Sequence, residues 1–148
     1  MQCEQGGDST MIQQMSDENI DALVHYRLER AHQTLAEIPF LREQGYYNTA
    51  TNRLYYACYY AVVALLTKNH IPTDTHAGVK TMLGLHFVSK GLISKESGRA
   101  FTNLFDCRQH SDYDEFVYST EEEVDELYEK AQRLIEEVDT LLHTSSTD

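Results

Sequence analysis

Two arginines occupy positions where the spacing of the sequence calls for apolar side chains, so both are candidates for binding an anion. Arg53 lies between the apolar positions of a tyrosine-rich segment, and Arg108 continues the spacing of Phe101 and Phe105. An arginine on such a face is seldom left without a partner. For Arg108 the near candidate is Asp112, four residues on and on the same side of a helix. The pattern therefore leaves two interpretations open, a structural ion pair and a functional anion site.

The segment around Arg53 is unusually rich in tyrosine, with six within fifteen positions. Aromatic rings can stack on nucleic-acid bases. On a helix, however, these six positions spread around the cylinder, and a stacking surface also needs interleaved basic residues. We therefore predict that most of them pack in the core or between helices. They are Tyr46, Tyr47, Tyr55, Tyr56, Tyr59 and Tyr60.

Common signatures of nucleotide, zinc and serine-nucleophile sites are missing from the sequence. It contains no GxxxxGK[ST], GxGxxG, HExxH or GxSxG motif. The seven histidines include no i, i+4 pair. We predict no metal site and no cofactor. Cys3, Cys58 and Cys107 have no CxxC spacing, which favours buried, reduced thiols in a reducing cytoplasm.

Charge and length restrict the possible functions. A chain of 148 residues fits one domain with one core. The net charge of −12 repels nucleic acids and anionic membranes, so we expect no DNA binding, and RNA would need a local basic pocket, for example in a dimer crevice. The negative charge instead favours binding to other proteins, or it only keeps the protein in solution. Only 2 prolines and 7 glycines interrupt the chain, which favours long helices.

The chain divides into a leader, one domain and a tail. Residues 1–15 lack periodicity and read as a flexible leader without the apolar stretch of a signal peptide, and residues 144–148 read as a flexible tail. The longest apolar run, Tyr55 to Leu66, is too short for a membrane span of about 20 residues. We expect a cytoplasmic domain over residues 16–143, with no membrane contact.

Apolar spacing and capping residues predict the helices of this domain. Ser16, Ser94 and Thr120 are expected N-caps, the last in a capping box with Glu123. The predicted segments run from Ser16 to Gly45 with an apolar stripe from Ile20 to Ile38, from Tyr47 to Lys68, from about Thr75 to Gly91, from Ser94 to Ser111 or Asp112, and from Thr120 to beyond Leu141. No segment shows strand alternation. The fold class predicted is all-α, an antiparallel up-and-down bundle of four main helices plus a shorter helix.

Four blocks of sequence resemble the HEPN domain, especially the small stand-alone HEPN proteins of bacteria and archaea. They are ATNRLYYACYYAVVALL, THAGV, HFVSKGLIS and LFDCRQHSDYD, beginning at positions 50, 75, 86 and 104. The family pattern is an Arg-x-Tyr-Tyr-Ala run, a histidine before a small-residue turn, and a late Arg-x-x-x-Asp-Tyr. The matching positions are Arg53, Tyr55, Tyr56, Ala57, His76, Arg108, Asp112 and Tyr113.

This resemblance implies a helical bundle that forms a homodimer and works in a two-component system. Such proteins are often encoded beside a minimal nucleotidyltransferase, and some are the toxin of the pair. The first hypothesis is therefore a non-catalytic interaction module that binds a partner, a nucleotide or RNA. Its ligand- and partner-binding residues would be Arg53, Tyr56, His76, Arg108, Asp112 and Tyr113.

The second hypothesis is a metal-independent RNase toxin. Toxic HEPN proteins carry an arginine followed, after four to six residues, by a histidine, and here those positions hold Tyr113, Asp114 and Glu115. Cleavage by the 2′-hydroxyl of RNA needs a proton acceptor and a cation at the phosphate. Arg108 and His110 are the catalytic candidates, but residues two apart on a helix face different ways. They would converge only if the helix ended between them or a second subunit contributed.

Two further expectations concern partners. A nucleotidyltransferase partner would modify Tyr113 or Tyr118, as happens in toxin pairs that are silenced by adenylylation of a tyrosine. The tyrosine-rich second helix also has more apolar surface than one side of a small bundle covers. We therefore expect a C₂ dimer with Arg108 near the cleft between the subunits.

Overall fold

A computed structural model describes residues 16–113 and 119–146, and the side chains of 109–113 and 145–146 lie outside this description. The described residues are helical and contain no strand. The predicted leader, with Cys3, is outside the described residues, and so are Asp114, Glu115 and Tyr118. The helices are α1 (Asp17–Leu35), α2 (Ile38–Glu43), α3 (Tyr47–Lys68), α4 (His76–Leu83), α5 (Lys95–Tyr113) and α6 (Glu121–Ser146), and a π-helical segment (Gly84–Val88) follows α4.

The predicted helix starts are confirmed by side-chain caps. Ser16, Thr75 and Ser94 each accept a backbone N–H from the residue three positions later. Thr120 and Glu123 exchange two hydrogen bonds, the Thr120 N–H to Glu123 Oε1 at 2.9 Å and the Glu123 N–H to Thr120 Oγ1 at 3.2 Å. This is the capping box expected from the sequence.

The apolar stripe from Ile20 to Ile38 belongs to two helices instead of the single one predicted. Pro39 explains the break, because a proline inside a helix has no N–H to donate and its ring clashes with the carbonyl four residues earlier, here that of Leu35. The first helix accordingly ends at Leu35, and Pro39 lies in the first turn of the next. The bundle therefore has one short helix more than the sequence predicts.

The third predicted segment also changes its helical type before Gly91. After Leu83 the backbone widens into the π-helical segment, where the Ser89 N–H bonds to the Gly84 carbonyl at 2.9 Å. Gly91 then ends the segment with a φ of 74° and Gly45 ends the earlier one with a φ of 81°, a conformation that glycine adopts without steric cost. α5 reaches Tyr113 and α6 reaches Ser146.

Polar contacts between the helices define an antiparallel bundle. The pair Lys68–Asp21 joins the end of α3 to the start of α1, and Arg53–Glu37 joins the start of α3 to the turn after α1. Likewise, Ser97 Oγ near the start of α5 donates to Glu137 in the second half of α6. α3 and α6 point the same way, since Thr51 donates to Ser119 just before α6 begins.

The core surrounds α3. This helix buries residues on both of its sides. Leu54 and Tyr55 are fully buried here, and they meet Phe101 and Leu104 of α5 and Leu134 of α6 in one continuous cluster. None of the described helices is long and apolar enough to cross a membrane.

The burial of α3 predicts a large difference between two leucine truncations. Leu54→Ala removes a fully buried side chain and should lower the free energy of unfolding by about 2–5 kcal/mol. Leu85→Ala is the matched control, because Leu85 is 56% exposed and its truncation should change stability by no more than about 0.5 kcal/mol. Urea denaturation followed by circular dichroism measures both. Equal losses in the two variants would contradict the placement of α3 at the centre of the core.

Candidate functional site

Three helices contribute to a group of five side chains that we call the Tyr–His–Arg cluster: Tyr55, Tyr56, Tyr59, His76 and Arg108. The tyrosines lie on α3, the histidine begins α4 and the arginine lies on α5. Arg108 Nε donates to Tyr56 Oη at 3.1 Å. Its guanidinium carbon lies 5.7 Å from the ring centres of both Tyr55 and Tyr56, within the range of a cation–π contact. The arginine is thus held against the tyrosine face of α3.

His76 is positioned by the start of α4. The side chain of Thr75 caps that helix, and the next residue turns its imidazole back onto α3. There His76 Nδ1 lies 2.8 Å from Tyr55 Oη, and its ring stacks on Tyr59 with centroids 4.3 Å apart. Because Tyr55 is fully buried, its hydroxyl needs such a partner. The same hydrogen bond fixes the orientation of the imidazole.

Burial and the charge of Arg108 both reduce the affinity of His76 for a proton. Burial, followed by the charge of Arg108, lowers the pKa of His76 below its ordinary value. Burial raises the pKa values of the Tyr55 and Tyr59 hydroxyls. At neutral pH the Tyr55 and Tyr59 hydroxyls and the His76 imidazole are therefore uncharged, and Arg108 supplies positive charge to the cluster.

Arg27 and Arg30 of α1 place two further cations beside α3, and neither was predicted as a site residue from the sequence. Arg30 Nη2 donates to Tyr60 Oη at 3.1 Å, with the guanidinium carbon 4.7 Å from the centre of that ring. Arg27 donates to Thr67 Oγ1 at 2.8 Å, and its charge acts on Tyr59. Both arginines flank the apolar stripe of α1, which is the one sequence signal that could have drawn attention to them.

The residues predicted for the site fall into three groups. Tyr56, His76 and Arg108 come together in the cluster. Arg53 instead forms a two-pronged ion pair with Glu37, at 3.0 Å from Nε and 3.3 Å from Nη2. Of the two interpretations of the sequence, the structural ion pair therefore applies to Arg53. A role of Arg53 in binding a ligand stays a prediction.

The remaining predicted residues, His110, Asp112 and Tyr113, lie in α5 with side chains outside the described part of the chain. The backbone alone bears on the pairing of Arg108 with His110. α5 is continuous through Tyr113, so these two positions lie about 200° apart around the helix axis. The condition that the helix should end between them is not met, which leaves a second subunit as the way to bring them together.

The six tyrosines and the cysteines are distributed largely as predicted. Tyr55 is buried and most of the others are partly buried, but Tyr46 is 57% exposed. Cys58 is buried, and burial raises the pKa of its thiol. Cys107 is only partly buried, which differs from the expectation for all three cysteines, although burial raises its pKa as well. Across the described residues no group of three or more His, Cys, Asp or Glu side chains is arranged to hold a metal ion.

Comparison with known proteins decides the family. The sequence profile of the HEPN domain matches residues 24–141. The chain belongs to the HEPN domain family. This confirms the resemblance found in the sequence, and the match spans every residue of the Tyr–His–Arg cluster.

Individual relatives include proteins of a bacterium and of an archaeon. The chain is 30% identical over 122 residues to a UPF0332 protein of Thermotoga maritima, covering 82% of this chain and 92% of the relative. It is 33% identical over 121 residues to a protein of Methanocaldococcus jannaschii named "putative toxin", covering 82% and 87%. A second protein with that name from the same organism is 29% identical over 103 residues, 70% of each chain.

The electrostatics of the cluster predict how His76 titrates. In the native protein its midpoint should lie below the usual value of about 6.5, and Arg108→Met should move it upward because one repelling charge is removed. Two-dimensional NMR of the imidazole signals measures both midpoints. Arg133→Met, on α6 and paired with Glu96, is the control and should leave His76 unchanged.

The same shift sets a pH dependence of stability. The fold favours neutral His76, so its contribution to stability is fully present above about pH 6.5 and is lost as the pH falls through the lower folded pKa. The unfolding free energy of the native protein should therefore fall more steeply with acidification below pH 6.5 than that of His76→Gln. Urea denaturation at a series of pH values measures both free energies. If they fell with the same slope against pH, the buried and neutral state of His76 would be contradicted.

Proposed function

We propose that this HEPN protein is an interaction module of a toxin–antitoxin-like, two-component system and that its Tyr–His–Arg cluster binds a phosphate group of RNA or of a nucleotide. The observation that carries the proposal is the meeting of Arg108 and His76, from two different helices, on the tyrosine face of α3. The two archaeal relatives named as toxins support the same class of system.

The cluster has the chemistry that a phosphodiester requires. A guanidinium presents several N–H donors in a planar fork that fits phosphate oxygens, and Arg108 uses its Nε on Tyr56, which fixes the plane of the fork. The partly exposed rings of Tyr56 and Tyr59 provide flat surfaces of the kind on which bases stack.

Local charge favours an anion here despite the acidic chain. The net charge of −12 repels polyanions on average. Arg27, Arg30 and Arg108 nevertheless all contact tyrosines or threonines along one side of α3. Such a surface supports binding of a short single-stranded segment or a nucleotide more than of a duplex, whose many phosphates would meet the acidic remainder of the surface.

The proposal also includes a protein partner, a dimer and a cell compartment. A nucleotidyltransferase-type protein is the proposed partner, with Tyr113 or Tyr118 as the residue that it would modify. A second copy of the chain is the proposed dimer partner, with Arg108 near the cleft. The cytoplasm is the proposed compartment, in keeping with the reduced state of Cys58 and Cys107.

A second candidate function is the metal-independent RNase, and one specific observation favours it. The histidine missing from the spacing after Arg108 has a spatial counterpart in His76. In the tautomer that donates Nδ1–H to Tyr55, Nε2 forms no hydrogen bond within the described part of the chain and would take a proton from an RNA 2′-hydroxyl. The bond from that oxygen to phosphorus would form and the bond to the 5′-oxygen would break, while Arg108 stabilises the phosphate charge. The departing 5′-oxygen would take a proton from water, so the products are a 2′,3′-cyclic phosphate and a 5′-hydroxyl.

Binding of RNA tests the main proposal. Replacing Arg108 by methionine should weaken binding of a short fluorescent single-stranded RNA about tenfold or more, because a charge-assisted hydrogen bond is lost. Fluorescence anisotropy at fixed salt measures the affinity, and Arg133→Met is the matched control on another face. Equal affinities for the native protein, Arg108→Met and Arg133→Met would rule out the cluster as the binding site.

Cleavage is assayed separately, with the same RNA in the presence of EDTA. If His76 is the proton acceptor, His76→Gln should slow cleavage about a hundredfold or more and His110→Gln should have little effect. Retained binding without any cleavage would leave the interaction module and exclude the RNase. Loss of cleavage in His110→Gln alone would instead assign the histidine role to His110.

The proposed dimer is tested by its mass in solution. Light scattering at micromolar concentration should give twice the chain mass of 17.0 kDa. Tyr60→Glu would place a charge on the tyrosine face of α3 and should shift the mass toward that of the monomer if this face is the interface. A monomeric native protein would contradict the prediction.

A further inference from the structure

A second concave site lies apart from the Tyr–His–Arg cluster, between α4 with the π-helical segment and the first half of α5. It is a groove of about 500 Å³, and no cluster residue lines it. This volume is within the range of pockets that bind small molecules. The two helices that line the groove also carry cluster residues outside it, because His76 begins α4 and Arg108 lies on α5.

The floor of the groove is apolar and is kept open by glycine. Leu83, Val88 and Phe101 line it. A side chain at Gly98 would not fit, because its first carbon would lie 2.9 Å from Val88 Cγ2, so α5 packs tightly against the π-helical segment. At Gly84 the same carbon would meet nothing within 4 Å, which shows open space above that residue. π-helical turns such as this one occur frequently at functional sites.

The rim of the groove is positive. Lys80, Lys95 and Arg99 line it, and no acidic residue does. Ion pairs elsewhere in the described residues neutralise other cations, for example Lys68 with Asp21, but none of them joins the three rim residues to a carboxylate. In a chain with 24 acidic and 12 basic residues, this groove therefore brings three cations together with no carboxylate in its lining.

We infer that this groove binds an amphiphilic organic anion, a small molecule with an apolar ring or short chain and one phosphate, sulfonate or carboxylate group. The apolar body would cover Leu83, Val88 and Phe101, and the anionic group would reach the cations of the rim. A metal cation or a basic peptide is repelled by the same three charges. The inference goes beyond the proposed phosphate site, because it concerns different residues and does not depend on RNA binding.

A matched pair of fluorescent probes separates the role of charge from that of apolar contact. 8-Anilinonaphthalene-1-sulfonate carries an anionic group, and N-phenyl-1-naphthylamine has the same rings without it. The full chain should bind the sulfonate saturably, one per chain, and about tenfold or more tighter than the neutral amine. In NMR spectra the sulfonate should shift the backbone amides of Gly84, Gly98, Thr102 and Asn103.

Two variants locate the site. The triple substitution Lys80→Gln, Lys95→Gln and Arg99→Gln should weaken sulfonate binding about tenfold or more and leave the neutral probe within about twofold. Gly84→Leu should abolish binding of both probes by filling the groove, and its thermal unfolding by circular dichroism checks that the fold is intact. Lys90→Gln, an exposed lysine outside the groove, is the control and should bind like the native chain.

Three results would overturn the inference. Equal affinity for the two probes would show that the rim charges play no role. Amide shifts confined to other residues, or unchanged binding in a folded Gly84→Leu variant, would place the probe elsewhere. Failure of the sulfonate to bind would also overturn the inference, and a change of mass in Gly84→Leu by light scattering would then show that a second copy of the chain covers the groove.

Discussion

A tyrosine hydroxyl buried in a helical core must have a hydrogen-bond partner, and this requirement connects the fold of the protein to its candidate site. Tyr55 lies on the central helix with no exposed surface, and an unpartnered hydroxyl there would cost about 1–3 kcal/mol. His76 Nδ1 meets this need. The connection after α3 must therefore return the start of α4 to the tyrosine face, where the Thr75 cap begins the helix. The packing of the core thereby sets the position and orientation of the imidazole.

The distribution of charge follows from the same architecture. On the outer faces, several cations are matched with carboxylates of a neighbouring helix, as Arg42 is with Asp125 and Glu121. On the tyrosine face, phenol hydroxyls and rings contact Arg30 and Arg108. A phenol does not cancel a guanidinium charge as a carboxylate does. A tyrosine contact can thus position a guanidinium without adding a negative charge beside it.

The sequence predicted well the features that depend on residues close together in the chain. It did not predict how the helices pack against one another. The caps at Ser16, Ser94 and Thr120 depend on bonds between residues three apart, so their residue types suffice to predict them. The break before Pro39 was missed because the apolar stripe continues across it. The HEPN pattern included His76 and Arg108, yet only the packing of α4 and α5 onto α3 places both against the same tyrosines. Arg27 and Arg30 join them from α1, which spacing within any one helix does not reveal.

The position of His76 also changes how the missing motif histidine should be understood. A reaction needs a proton acceptor and a cation at defined places around the substrate, and the order of these groups in the chain is irrelevant to it. An arginine and a histidine on one helix keep a fixed separation set by helix geometry. Here His76 comes from another helix, and its distance from Arg108 depends on how α4 sits against α3. Anything that moves the start of α4 would alter both the imidazole and its hydrogen bond to Tyr55, whereas Arg108 would remain bonded to Tyr56. Binding of an anion through Arg108 can therefore be separated from proton transfer through His76, and this separation is what would allow a protein with this site to bind without cleaving.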